Sequence, residues 1–312
     1  MSVATTTSSP PQAGAASPAA PAWKVWSALW IVYLIWGSTY LAIRVMVETV
    51  PPLLGSGVRF SVAGAVMIGV LSLHRSVRPT RAQLLSALLV GLLLPGANAV
   101  VTVAEQEVPS SVAALLIASV PLWVILMRRG SGERVSRAGI GAVLVGFAGV
   151  ALLVRPGEQS GDATVLGLAA VVFAAVMWAS GSFASPRLKL PRDPLVSTGW
   201  QMLLGGLAIV AVGLALGEAP EVDPEAFSTR SVLALGYLIV FGSWVAFTAY
   251  AWLLQNAPIS KVSTYAYVNP VVAIVLGFLI LDEVVTPITV IGAAIIIVAV
   301  ALVVRIENAR RP

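Results

Sequence analysis

Long apolar runs alternate with short polar connections through most of this chain. A helix needs about 20 apolar residues to cross the roughly 30 Å hydrocarbon core of a bilayer, and the runs have about this length. The pattern predicts ten membrane-spanning helices, at residues 26–47, 53–73, 83–104, 108–127, 138–154, 164–185, 195–216, 231–252, 260–281 and 286–304. Because the connections are too brief to hold a soluble domain, we expect an all-α membrane protein.

The N-terminal segment, residues 1–22, differs from the rest of the chain. It is rich in Ser, Thr, Pro and Ala, and it has neither a charged side chain nor an apolar core. Such a composition cannot bury enough apolar surface to fold, and the charged and apolar regions of a signal peptide are missing. We therefore expect a disordered tail there.

The two halves of the chain share residues at matching intervals. Trp36 and Pro52 are 16 residues apart, and so are Trp178 and Pro194. The other matches are Gln106, Pro109 and Pro121 with Gln255, Pro258 and Pro270, and Glu133 and Arg155 with Glu283 and Arg305. Matches in three regions, in the same order, indicate an internal repeat.

The repeat divides the chain into two units of five spans. We expect the first unit at residues 26–155 and the second at 164–305, with a short tail at 306–312. Because five is odd, the second unit enters the membrane inverted relative to the first. Inverted repeats are typical of secondary transporters, in which one half rocks against the other. They also occur in channels, so the repeat favours transport in general.

The composition supports a membrane location. Hydrophobic residues make up 58% of the chain and charged residues 11%, whereas a soluble domain is about a quarter charged. Fifteen of the 19 Lys and Arg residues fall on one side of the predicted spans and three on the other. Since positive connections stay in the cytoplasm, we expect an inner-membrane protein with both termini cytoplasmic. The net charge of +5 is then explained by orientation rather than by nucleic-acid binding.

Residues for catalysis within the membrane are scarce. The chain has no Cys, which excludes disulfides, zinc–thiolate sites and iron–sulfur clusters, and its one His, His74, falls in a polar connection. An enzyme would need an acid–base pair, a nucleophile or a metal cluster in the spans, and a scaffold would normally carry a soluble interaction domain. We therefore predict a transporter of a small molecule, without cofactor or metal. A membrane-embedded enzyme and a non-transporting scaffold are the alternatives, and the pattern does not indicate the oligomeric state.

Four segments carry a family likeness. They are LIWGSTYLAIR, PPLLGSGVRF, EQEVPSSVAALLIASVPLW and YAYVNPVVAIVLGFLILDE, and the likeness covers about residues 26–305. They resemble the EamA-type ten-span members of the drug/metabolite transporter superfamily, in particular the YedA-like inner-membrane branch. The resemblance implies a central cavity between the halves and export of an amino acid, another metabolite or a drug by alternating access. It implies no ATP hydrolysis, which agrees with the lack of a Walker-type glycine loop.

Aromatic residues mark one face of the first span. Trp36 and Tyr40 are one helical turn apart, and Trp178 and Ser182 repeat that spacing on the sixth span. Rings and hydroxyls on one helix face suit a cavity that binds a planar or amphipathic substrate. Helix packing or anchoring at the membrane interface explains the same pattern, so both interpretations stay open.

Arg59 lies six residues into the second span, at the position that Gln201 occupies in the second repeat. A charge at that depth is costly and faces a partner or water. It either contacts an anionic group of the substrate or has a structural role, bonded to backbone carbonyls or extended to the outer surface, and its place near the span end favours the latter. Cavity lining and helix packing are both open for the other polar residues within spans, Asn98, Gln201, Tyr265, Tyr267 and Asn269.

Pro121 and Pro270 occupy matching places in the fourth and ninth spans. Each removes one helix hydrogen bond, so we expect both to bend their helices beside the cavity. The two spans differ beyond the proline, because Arg128–Arg129 stand where the second repeat has Phe278–Leu279. The fourth span is therefore expected to end early, with the arginines at the cytoplasmic headgroups.

No Asp, Glu or His falls within the interior of a predicted span. Proton-coupled carriers generally place such a group within the membrane. The nearest candidate, Glu105, falls in the connection after the third span, on the outer side. We therefore expect movement of the substrate down its own gradient, or only a weak linkage to protons.

Overall fold

A computed structural model describes residues 21–154 and 163–309, and all regular structure in these ranges is helical. The α-helices are α1 (Ala22–Met46), α2 (Pro52–Ser72), α3 (Arg81–Ala104), α4 (Ser110–Ile117), α5 (Val120–Gly130), α6 (Arg137–Leu153), α7 (Val165–Ala184), α8 (Pro194–Ala215), α9 (Thr229–Tyr237), α10 (Ala246–Asn256), α11 (Ile259–Val262), α12 (Tyr265–Ile280) and α13 (Pro287–Asn308). A π-helical segment, Leu238–Val245, joins α9 to α10, and 3₁₀ turns occupy Ser185–Arg187 and Ala219–Glu221.

These helices make ten spans, which confirms the predicted all-α membrane architecture. Eight spans are long and apolar enough to cross a bilayer, with α4 and α5 forming one of them and α9 and α10 another. The other two, Arg137–Leu153 and Tyr265–Ile280, are shorter apolar helices. Residues 1–20 of the predicted N-terminal tail lie outside the described part of the chain. Helix α13 continues to Asn308, past the predicted start of the C-terminal tail at 306.

Polar side chains cap the starts of six of the described helices, including Thr286 before α13, which accepts from the backbone N–H of Thr289 at 3.1 Å. Thr80, Ser136, Thr164 and Ser228 each accept a hydrogen bond from the backbone N–H three residues on, and Asp193 accepts two such bonds at the start of α8. Caps of this kind contribute about 1 kcal/mol each. Within the bilayer every backbone group must be satisfied inside its own helix, so the caps mark where the chain re-enters the apolar region.

The two repeats pack through equivalent helices. Helix α2 pairs with α8 and α6 with α13, which are the second and fifth spans of each repeat. Helix α1 packs on α12, and in the equivalent arrangement α7 packs on α4 and α5. The α2–α8 contact is backbone to backbone, because a Cβ built at Gly64 would lie 2.4 Å from the amide nitrogen of Leu203. Small residues thus set the central seam, as is usual between helices in lipid.

Candidate functional site

The two repeats together line a cavity of about 110 Å³. Its lining residues are Trp36, Thr39, Tyr40, Arg59, Phe60, Ala97, Asn98, Val101, Ala114, Ile117, Ala118, Val120, Pro121, Trp178, Phe247, Tyr265, Ala266, Asn269 and Pro270. Seven of the predicted cavity residues are among them, namely Trp36, Tyr40, Arg59, Asn98, Trp178, Tyr265 and Asn269, together with both prolines. Both repeats therefore contribute side chains to one partly open cavity.

Trp36 lies at the centre of an aromatic cluster that joins the repeats. Its ring centroid is 5.1 Å from those of Phe247 and Tyr250 and 5.3 Å from that of Tyr265. Its indole N–H donates to the backbone carbonyl of Gly242 at 3.3 Å. Aromatic pairs at such separations contribute about 0.5–1.5 kcal/mol each beyond the burial of their area. The cluster therefore holds α1 firmly against α10 and α12 beside the cavity.

The π-helical segment supplies two polar groups near the cavity wall. Gly242 provides the carbonyl bound by Trp36, and the hydroxyl oxygen of the next residue, Ser243, lies 3.0 Å from Arg59 Nε. A π-helix places more residues in each turn than an α-helix, and such segments are frequent at functional sites. The hydropathy pattern contains no signal of it, so these two residues were absent from the predicted site.

Arg59 is a buried cation at the cavity wall, with 3% of its surface exposed. Its Nε donates to Ser243 Oγ at 3.0 Å and its Nη1 to Asn98 Oδ1 at 2.9 Å. In the described parts of the chain it forms no ion pair with a carboxylate. The side chain thus points inward, and the predicted extension to the outer surface does not occur. A buried charge with only neutral partners is costly until an anion approaches it.

Three predicted site residues lie away from this cavity. Gln201 borders a side pocket of about 20 Å³, and its Nε2 donates to Ser197 Oγ at 2.8 Å. Although Gln201 stands at the position equivalent to Arg59, it does not share its surroundings. Ser182 and Tyr267 are half-buried and border neither space.

The two prolines predicted to bend their spans differ in effect. Pro121 lies at the start of α5, just after Ala118 and Ser119 interrupt the fourth span. Pro270 lies inside α12, and the ninth span is interrupted earlier, at residues 263–264. The break in the fourth span therefore coincides with its proline, whereas that in the ninth span does not.

Glu105 differs most from its prediction. It directly follows α3, and its exposed fraction is 0%. Its backbone carbonyl accepts a hydrogen bond from Arg44, and neither carboxylate oxygen has a hydrogen-bond partner within the described ranges. Glu105 thus follows α3 as predicted, but it is buried within the protein rather than in an open connection. Glu105 follows Asn98 by seven residues, or two helical turns, so this spacing places it on the face of α3 that lines the cavity.

Carboxylates bind the starts of helices at one end of the molecule, here named the Glu283 end. Glu283 accepts hydrogen bonds from the backbone N–H groups of Ser110 and Ser111, at 2.7 and 3.1 Å, and from the Ser111 hydroxyl at 2.5 Å. It thereby joins the segment after α12 to the start of α4. Glu218 likewise accepts from the first amides of α2, those of Leu53 and Leu54. Helix N-termini favour anions because their N–H groups are unpaired and the helix dipole is positive there.

The opposite end is rich in arginine. Glu133 accepts hydrogen bonds from Arg128 Nε at 2.6 Å and from Arg187 Nη2 at 2.7 Å, and Arg75 pairs with Asp193. The hydrogen bond from Arg128, together with the charges of Arg128 and Arg187, lowers the pKa of Glu133 below its usual value. At this end α5 packs against α7, whereas α4, at the Glu283 end, packs against α12. The fourth and ninth spans thus meet at the Glu283 end and diverge toward the arginine-rich end.

Sequence comparison matches both halves of the chain to one family. The profile of the EamA-like transporter family matches residues 25–155 and again residues 165–305. The chain belongs to the EamA-like transporter family. This confirms the membership predicted from the four sequence segments, with one match to each half of the chain.

Relatives of this transporter share most of its length. The uncharacterized inner membrane transporter YedA of Escherichia coli K12 is 37% identical over 281 residues, which cover 89% of this chain and 90% of YedA. The uncharacterized transporter YoaV of Bacillus subtilis is 24% identical, over 88% of this chain and 94% of YoaV. One crystal structure superposes with a TM-score of 0.62 at 23% identity, over 92% of this chain and 99% of that chain, and shows the same fold. Together, the family and the helices identify a membrane transporter.

Proposed function

We propose that this transporter exports a small organic metabolite, such as an amino acid or a drug-like molecule, by alternating access between its inverted repeats and without ATP hydrolysis. The observation that supports this proposal is the cavity between the repeats, where aromatic rings and a buried guanidinium border one space. Such a site binds its ligand through side chains of both halves. A relative movement of the halves therefore changes the site and its access together.

Two kinds of contact define the substrate class. Arg59, whose side-chain partners are neutral, is suited to a carboxylate of the substrate. Trp36 and Tyr265 offer rings to an apolar or planar part. The side-chain oxygen of Asn269 has no hydrogen-bond partner among the described residues, so it is free to accept an N–H group. The cavity of about 110 Å³ has room for a few water molecules, which suits a ligand of amino-acid size.

We assign the arginine-rich end to the cytoplasm and the chain to the inner membrane. The bias of fifteen basic residues to three supports this orientation. Because the native chain has no Cys, single introduced cysteines report on it cleanly. Glu225→Cys, in an exposed connection at the Glu283 end, should react with an impermeant maleimide in intact cells, whereas Ser131→Cys should not. The reverse labelling pattern would refute the orientation.

In this orientation the described conformation is taken as inward-facing. The Glu283 contacts close the outer end, and the divergence of the fourth and ninth spans leaves the inner end less tightly packed. The repeats are equivalent, so the outward-facing conformation should exchange these roles. Glu283 would then release the start of α4, and Glu133 would bind the start of α11.

The test is exchange of labelled compounds by purified protein in proteoliposomes. The wild-type protein should exchange at least one amino acid or drug-like compound that carries a carboxylate. Arg59→Gln should slow this exchange at least about tenfold, because hydrogen bonds to charged groups contribute about 1.5–3 kcal/mol. Arg230→Gln, which removes an exposed arginine 3.7 Å from Glu48, is the matched control and should exchange at the wild-type rate.

Two results would contradict the proposal. One is that well-folded wild-type protein exchanges none of the compounds from either class. The other is that Arg59→Gln exchanges every compound as fast as wild type, which would place the substrate elsewhere. Chemical analysis of the recovered label also distinguishes transport from catalysis, because a transporter returns its substrate unchanged.

A further inference from the structure

One buried acid has no part in the cavity contacts described above. Glu105 has an exposed fraction of 0%, and both carboxylate oxygens lack a hydrogen-bond partner in the described residues. An ionised carboxylate without donors is very costly to bury, whereas the neutral acid is not. The position of Glu105, two helical turns from Asn98, places it between the cavity and the Glu283 end.

We infer that Glu105 is a proton-binding site that controls closure of the Glu283 end. The inference rests on the alternating access proposed above and adds its coupling. It replaces the expectation of uncoupled movement, because Glu105 is buried although it lies past the end of α3.

The charged and titratable groups around Glu105 come from three other elements. Tyr40 and Arg44 belong to α1, Arg59 belongs to α2, and Glu283 follows α12. Arg44 donates to the backbone carbonyl of Glu105, and Arg59 donates to neutral side chains. In the described part of the chain, neither arginine forms an ion pair with the Glu105 carboxylate. A proton is therefore the simplest ligand that removes the charge of this group.

The link to closure is the repulsion between two carboxylates. Glu283 accepts three hydrogen bonds from Ser110 and Ser111, which is the bonding of an ionised acceptor. A negative charge on Glu105 would repel Glu283 and weaken this junction, whereas protonated Glu105 does not. The closed Glu283 end therefore binds the proton more tightly than the open end, and the proton in turn favours closure.

This coupling has a direction that suits an exporter. A proton that reaches Glu105 from the outer side favours closure of that side and return to the inward-facing conformation. Release of the proton toward the cytoplasm then permits the outer end to open again with substrate bound. Protons thus move inward as substrate moves outward.

The experiment measures closure directly and needs no substrate. Spin labels on Gln106→Cys and Val284→Cys, both exposed positions at the Glu283 end, report the distance between the start of the fourth span and the end of the ninth. In the otherwise native chain, raising the pH should shift the population from the short to the long distance by a factor of about 5 to 150, the usual range of coupling between two sites. In Glu105→Gln, which mimics the protonated acid, the short distance should persist at every pH.

Controls keep the result specific to Glu105. Glu107→Gln changes an exposed carboxylate that accepts from Thr164 and should keep the pH response. Glu105→Asp retains a titratable acid and should respond with a shifted midpoint. A distance independent of pH in the native chain, or an unchanged response in Glu105→Gln, would overturn the inference. Failure to find a transported substrate would not affect this readout, so the two proposals fail separately.

Discussion

Glu133 and Glu283 occupy equivalent positions in the two repeats, but they make different contacts. Each glutamate precedes an arginine by 22 residues. Glu283 holds the start of α4, whereas Glu133 pairs with Arg128 and Arg187. Part of the difference is chemical, because Arg128 stands where the second repeat has Phe278. The rest follows from conformation under the alternating access proposed above, since a transporter closed at one end must hold its two repeats in different states.

The matched tryptophans should give the largest effect that separates the repeats. Trp36 has three ring neighbours, whereas Trp178 packs against a cluster that includes Ala97 and Ala174. Trp36→Ala should lower the free energy of unfolding by about 3–5 kcal/mol and abolish transport. Trp178→Ala should lower it by about 1.5–4.5 kcal/mol less than Trp36→Ala does, because Trp178 lacks the three ring pairs of Trp36. Denaturation in detergent and proteoliposome exchange measure both, and equal losses would show that the aromatic cluster does not distinguish the repeats.

Glu283→Gln should reduce this difference between the repeats by opening the Glu283 end. The change removes the charge from hydrogen bonds worth about 1.5–3 kcal/mol, so the closed population should fall at least about tenfold. The distance between spin labels at Gln106 and Val284 should lengthen accordingly. Glu218→Gln is the matched control, because it weakens the same kind of contact at the start of α2. This control should lower thermal stability without changing the distance between the labels, because α2 and α8 remain joined by their backbones. A longer label distance in Glu218→Gln would refute this account.

Arg128→Phe places in the first repeat the residue found at the equivalent position of the second. This change should have the smallest effect, a few-fold shift of the population toward conformations closed at the arginine-rich end. Glu133 keeps Arg187 as a partner. Arg128 lowers the pKa of Glu133 in the folded protein. The ion pairs of Glu133 therefore stabilise the protein above the usual carboxyl pKa, and this stability is lost as the pH falls through the lowered pKa. In the variant this loss should occur at a higher pH. Spin labels on Ser131→Cys and Lys261→Cys would follow it, and an unchanged pH profile would mean that Arg187 alone holds Glu133.

Hydropathy located every span, because a run of apolar residues is sufficient to predict a membrane helix. The interruptions were not predictable in the same way. The break at Ala118 and Ser119 and the π-helical segment Leu238–Val245 leave the apolar content of their spans unchanged. Pro121 marks the first of these interruptions, as its predicted bend indicated, whereas no residue of the eighth span marks the π-helical segment.

The sequence predicted which types of residue line the cavity, but not which individual side chains face it. Tyr265 and Tyr267 are two residues apart and project about 200° from each other on a helix, so only Tyr265 borders the cavity. The end of α3 was predicted correctly at residue 104, so Glu105 was expected just beyond it; its burial comes from packing against other spans, which hydropathy does not show. Gln201 and Arg59 are equivalent in the repeat, yet their surroundings differ because the two repeats have diverged in the side chains that surround this position.

The π-helical segment also decides how the eighth span meets its neighbour. Tyr237, before the segment, bonds to Ser38 of α1 at 2.6 Å, and Tyr250, beyond it, contacts Trp36 of the same helix. These tyrosines are 13 residues apart, and an unbroken α-helix would place them about 140° apart around its axis. The wider turns of the segment reduce that angle. A local change of helical phase thus lets one span present both of its tyrosines to the helix that carries Trp36.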